Sequence, residues 1–193
     1  LVVAWFGDDL RCGSCLVRPA VETATKTTLP VSWKVAGLTR AMAPVVSQSG
    51  GAAAFGGTPS DASVVSAIQD LRARGLEVTF YPFLLMDIPQ GNTLPDPVTG
   101  LPGQPVYPWR GRITGIGDKT GAVTAQVASL VGTALPSQFA VSGAEVVYSG
   151  PVEWSLRRMV LHYAKLCALA GGVDSFLIGS ELRGLTTLRN SAT

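Results

Sequence analysis

The chain has one histidine, His162, and an odd number of cysteines, Cys12, Cys15 and Cys167. An odd count argues against a full disulfide framework. Charged residues make up only 15% of the sequence. The basic ones are scattered, so no track for nucleic-acid phosphates is present and no nucleic-acid contact is expected. No stretch would cross a bilayer well. The longest uncharged one, Thr120 to Ala144, is broken by Gln126, Ser129, Pro136 and several glycines. The apolar opening Leu1–Phe6 is too short for a signal peptide, and no basic region precedes it. With one histidine there is no convincing Ser-His-Asp set. No phosphate loop or metal-ligand cluster stands out either, so no cofactor and no metal are expected.

What is present is apolar material: 47% of the residues are hydrophobic, enough for a sizeable core. The sequence starts without Met and stops just after a motif that looks like the middle of something. It therefore reads as an excerpt of a longer polypeptide. A (β/α)8 barrel needs about 250 residues, so the expectation is roughly a first half plus a long insertion, which would not close by itself.

Two segments share one plan. Thr58-Pro59 reads as N-cap and first helical residue. Val64, Ile68 and Leu71 follow at helical spacing, giving a helix over Asp61–Arg74. Gly75 supplies a left-handed C-cap. Leu76 to Met86, β-branched and aromatic at its start, reads as a strand. In the second segment Leu156, Val160, Tyr163, Cys167 and Ala170 form one apolar stripe, predicting a helix over Glu153–Ala170. Gly171-Gly172 ends it, and Phe176–Ile178 reads as a short buried strand. Strands apolar on both faces belong to parallel sheets covered by helices, and helix–glycine–strand repeated is half of a right-handed βαβ unit. Val2–Phe6 reads as an earlier strand and Ala41–Ser47 as a weaker one. Gly121–Leu135 reads as a further helix and Gly50–Gly57 as a small-residue loop. The expected class is α/β, a TIM-barrel-like fold present as a partial barrel, with residues 1–193 as one domain.

A Pro- and Gly-rich stretch, Asp87 to Lys119, leaves the carboxyl end of the second strand, the face where barrel enzymes build their sites. Asp8 and Asp9 follow the first strand and Asp87 the second. All three have two readings: projecting into the barrel mouth, or bonding loop backbone and pairing with Arg11 and Arg110. Glu181 follows a strand and two small residues, Gly179-Ser180. It reads either as a general acid at the mouth or as the N-cap region of the next helix. Trp5 reads as core. Trp109, flanked by Pro108 and Arg110 on a polar loop, reads as core or as a face for a sugar ring. His162 reads as a helix-surface residue. Cys12-Gly13-Ser14-Cys15 reads as two thiols or one local disulfide pinning a loop, against half a metal site or a redox pair that lacks its partner ligands.

Leu161-His162-Tyr163-Ala164-Lys165-Leu166, Gly171-Gly172-Val173-Asp174 and Leu177-Ile178-Gly179-Ser180-Glu181-Leu182 resemble retaining β-mannanase-type glycosidases. The whole chain resembles more closely the barrel-like domain of gene transfer agent and phage tail hub proteins. That likeness is carried by Trp5–Gly13, Tyr81–Pro89, Tyr107–Ile113 and Glu181–Thr186. It implies a virion protein of the tail tip or baseplate, with other tail proteins and a bacterial envelope glycan as partners and a homo-oligomeric state in the virion. In the glycosidases Glu181 would be the acid/base. The nucleophile, about 5–5.5 Å away in a retaining enzyme, would come from a late strand beyond Thr193. The substrate-binding candidates are Asp8, Asp9, Asp87, Trp109 and Arg110. Three functions follow: a tail hub or baseplate module that contacts the envelope, an active glycosidase on peptidoglycan or another surface glycan, and a free metabolic glycoside hydrolase. The likeness to tail proteins weighs against the third.

Overall fold

The computed structural model describes residues 1–191. In chain order the elements are β1 (Val2–Gly7), β2 (Val17–Arg18), β3 (Lys34–Val35), β4 (Leu38–Thr39), β5 (Gln48–Ser49), β6 (Ala52–Ala53) and α1 (Asp61–Ala73). They continue with β7 (Thr79–Met86), α2 (Ala122–Val131), β8 (Phe139–Ser142), β9 (Glu145–Tyr148), α3 (Leu156–Leu169), β10 (Ser175–Phe176) and α4 (Arg183–Thr186). The central sheet has the order β10-β7-β1-β2. β1, β7 and β10 are mutually parallel, and the two-residue β2 is added antiparallel to β1. The fold is mixed α/β, and the sheet of the described residues does not close into a barrel.

The side chains of β7 alternate in burial, as a pleated strand requires. Phe80, Pro82, Leu84 and Met86 face the helices, whereas Tyr81, Phe83 and Leu85 lie half-buried on the other face. On the helix side Trp5, Phe80 and Tyr163 meet in the core, with the Trp5 indole donating to the Tyr163 hydroxyl at 2.8 Å. Val64 and Ile68 of α1 and Met159 and Leu166 of α3 complete it. On the opposite face Phe6, Ala20 and Val46 form a smaller cluster with Phe55 and Leu85. Gly75 (φ 75°) ends α1, and Gly171 and Gly172 (φ 100° and 94°) end α3, all in the left-handed region that suits glycine.

Several expectations are corrected. The N-cap of α1 is Ser60, whose hydroxyl accepts from Ser63 N–H. Thr58 is instead buried and ties β1 to the preceding chain, donating to Ala4 O at 2.8 Å and accepting from Ala20 N–H. Ala41–Ser47 forms no strand; Val45 makes only an isolated bridge to Val21. Gly50 and Gly51, both at positive φ, turn the β5–β6 hairpin, so the stretch read as loop from Gly50 to Gly57 supplies that turn and the strand β6. The strand expected over Phe176–Ile178 is paired only at Ser175 and Phe176, and Leu177 and Ile178 are exposed. His162 is buried, not on the helix surface: its Nε2 lies 2.9 Å from Asp61 Oδ1 and links α3 to α1.

Candidate functional site

Glu181 follows β10 and the small residues Gly179-Ser180, in a left-handed backbone conformation (φ 58°) that is uncommon for a residue with a Cβ. Its carboxylate Oε2 accepts from the Trp109 indole N–H at 2.7 Å and lies 3.1 Å from Arg110 Nη2. Arg110 is the fixed point of the cluster. Its side chain is buried, and its guanidinium lies 3.8 Å from the centroid of the Phe83 ring, within cation–π range. Its Nε donates to Ser180 O at 3.1 Å, and its Nη2 donates to the Tyr81 and Ser180 hydroxyls. Those two hydroxyls also bond to each other. A buried cation thus positions an exposed carboxylate, which stands against an indole that is 47% exposed.

Local sequence explains this convergence. A short 3-10 turn, Arg110–Arg112, follows Tyr107, which is also left-handed (φ 44°). A Cβ at Gly111 would overlap the Trp109 ring, so the missing side chain lets the indole lie on the backbone. A Cβ at Gly184 would overlap the carbonyl of Ile113, so α4 approaches the Arg110 turn closely. Unusual backbone at a cluster of polar groups is a pointer to function.

The other candidates lie apart from these contacts. β1 and β7 run in register with Gly7 opposite Met86, so Asp8 and Asp87 leave the sheet side by side. They share a shallow cavity of about 240 Å³. Asp87 accepts from Ser47 N–H at 2.9 Å and from its hydroxyl at 2.5 Å. Asp8 accepts from Leu16 N–H at 2.8 Å and pairs with Arg18 at 3.0 Å. Asp9 is buried in the loop framework, where its carboxylate meets Arg11 and the Gln104 amide. Burial raises the Asp9 pKa, but the bonds from Arg11 and Gln104 outweigh it and leave the carboxyl below its usual range. Gln104 also accepts from Leu10 N–H, fastening the long loop to the end of β1. Cys12 and Cys15 are unpaired and buried, and burial pushes the Cys15 thiol up to about 12. Among the described residues no group of three or more His, Cys, Asp or Glu could hold a metal ion.

Trp109, Arg110 and Glu181 are therefore brought together, and sequence reasoning missed the residues that join them: Tyr81, Phe83, Ser180, Gly111 and Gly184. Tyr81 and Phe83 were findable, since the period of two in β7 puts them on the face away from the helices.

Residues 154–193 match the family model of the GTA TIM-barrel-like domain. The matched span carries α3, β10 and Glu181, while Trp109, Arg110, Asp8, Asp9 and Asp87 lie outside it. It supports a gene transfer agent domain in this chain. No curated protein matches the sequence.

Proposed function

We propose that this chain is a glycosidase-like partial barrel domain of a tail hub or baseplate component in a phage-like particle, and that its Glu181 end contacts a bacterial envelope glycan. The observation that carries the reading is the pairing of an exposed carboxylate with a half-exposed indole over a buried arginine. A sugar offers hydroxyl hydrogens to a carboxylate and an apolar ring face to an indole. Both partners are prepositioned, so little ordering is needed on binding. The family match supports a component of a phage-like particle. Other tail proteins and further copies of the chain are the proposed partners. Asp8 and Asp87, lining the neighbouring cavity, are proposed as a second contact for the glycan chain.

The second reading is catalysis, favoured by a carboxylate set on a small-residue turn after a parallel strand. In the present geometry Glu181 accepts from Trp109 and pairs with Arg110. A general acid must instead donate at the leaving oxygen. Contact without cleavage is therefore the favoured role.

The test uses the full-length protein and isolated envelope glycans. Trp109→Ala should weaken glycan binding by tenfold or more, about 1.4 kcal/mol, and Glu181→Gln should weaken it without unfolding the domain. Undiminished binding in both variants eliminates the site. Cleavage by the wild type that falls about 10²–10⁴-fold in Glu181→Gln would establish the catalytic reading instead.

A further inference from the structure

The basic residues are scattered along the sequence, but the fold gathers several of them beside Glu181. Residues 107–119 and 180–190 pack against each other. The Thr114 hydroxyl donates to Gly184 O, Lys119 N–H donates to Arg189 O, and the bare Gly184 lies against the carbonyls of Gly111 and Ile113. These segments carry two acids, Glu181 and Asp118, and each is already paired, to Arg110 and to Arg189. The charges left over are all positive: Arg112, Lys119 and Arg183, which are exposed and form no ion pair among the described residues. Arg112 is felt by Asp96, but that carboxylate is buried and accepts from the Val98 and Thr99 N–H groups. The whole chain carries a net charge of only +2, so this one region holds more than the entire excess.

Covalent geometry keeps two of these cations close to the site. Arg183 is two residues from Glu181 and Arg112 three from Trp109, so the Cα separations are at most about 8 Å and about 11 Å. Charges at that range act on a bound ligand, because the Debye length is about 10 Å at about 0.1 M salt. A region lined by one sign of charge raises the local concentration of the opposite sign.

We propose that the glycan taken at the Glu181 site is an acidic one, whose sugars carry carboxylate or phosphate groups. The inference rests on the glycan reading and adds to it the charge of the ligand. Trp109 offers its face to a sugar ring, Glu181 accepts from ring hydroxyls, and the guanidinium groups of Arg112 and Arg183 donate to the anion. A DNA strand would meet the same field, but it has no ring hydroxyls to give the Glu181 acceptor.

The test measures binding of the full-length protein to polygalacturonate and its methyl ester, and to phosphomannan and unphosphorylated mannan. Each charged chain is thus compared with a neutral one of the same backbone. At least one charged chain should bind about tenfold or more tighter than its neutral counterpart, and which one does so separates carboxylate from phosphate. The preference should shrink as salt rises from about 0.05 M to about 0.5 M. It should disappear in the double variant Arg112→Gln/Arg183→Gln, with binding of the neutral chain unaltered, whereas Trp109→Ala should weaken charged and neutral chains alike. Equal binding of charged and neutral chains, both lost in Trp109→Ala, would overturn the inference and leave the glycan reading standing. Binding of no chain would overturn both. A preference for charge that survives the folded double variant, or oligothymidylate bound as tightly as polygalacturonate, would also overturn the inference. The comparison of charged with neutral chains uses the unaltered protein, so it decides even if the double variant misfolds.

Discussion

At the scale of the residue, His162 shows how one contact changes a reading. A helical stripe through Leu156, Val160 and Tyr163 puts His162 beside the apolar face, and a polar residue there reads as surface. The buried face is centred slightly differently, on Met159, His162, Tyr163 and Leu166. The imidazole is tolerated because Asp61, itself buried, supplies its partner from another helix. Removing one member of such a pair strands the other. His162→Ala should therefore cost about 2–4 kcal/mol, read as a lowered denaturant midpoint; a loss under 1 kcal/mol would show that the pair is not holding the two helices. Glu153 gives a pH prediction. Burial raises its pKa, but bonds from Thr133, Ser155 and the Ala134 backbone outweigh it and hold the carboxyl at about 2. Glu22 is also held at about 2: burial again opposes, and Lys26 and Arg40 prevail. Both native values lie below the ordinary 4.5. The stability these groups contribute is thus complete above about pH 4.5 and is lost as pH falls toward 2. Melting temperature against pH should be flat on this account from 7 to 5 and then drop, and Glu153→Gln should lower the plateau and shrink the drop.

At the scale of the element, the helices and the two long strands follow from periodicity, and their ends from glycine. What periodicity did not resolve were the short pairings. β5–β6 and β8–β9 lack long alternating runs, and β5–β6 is held by its two-glycine turn. The Arg110 turn and α4 likewise carry no apolar period; they are placed by close approach at Gly111 and Gly184. Gly111→Ala should therefore displace the Trp109 ring and not the fold. Acrylamide quenching of tryptophan fluorescence should increase, since Trp5 and Trp33 are buried and Trp109 is already the most open. Glycan binding should fall in parallel, with little change in melting temperature. Unchanged quenching would show that the ring does not depend on the bare glycine.

At the scale of the whole molecule, β1–β7 is the longest strand pairing among the described residues. These strands share six residue pairs in parallel register and are covered on the helix side by Tyr163, Met159 and Ile68. β10 contributes two pairs, and the residues after it are exposed. Amide exchange should accordingly be slowest along Val3–Phe6 and Phe80–Leu85 and much faster around Ser175–Phe176. Equal protection of all three strands would mean that the sheet opens as one unit. The same unevenness places the candidate site: Arg110 rests on the six-pair β7 through Tyr81 and Phe83, while Glu181 follows the two-pair β10.

The sequence by itself determined the α/β class, the parallel order of the helix-linked strands, the two glycine-ended helices and the candidacy of Glu181, Trp109 and Arg110. Those rest on local period, on turn chemistry and on residues that follow strand ends, all of which are written along the chain. Only the tertiary structure decided that Trp109, Arg110 and Glu181 meet, that Asp9 is held within the loop framework, and that His162 is core. Each depends on contacts between residues far apart in sequence, Trp109 with Glu181, Asp9 with Gln104 and His162 with Asp61. A hydrogen bond across such separations leaves no periodic trace, because it is fixed by how sheet, loop and helix pack and not by the order of residues within any one of them.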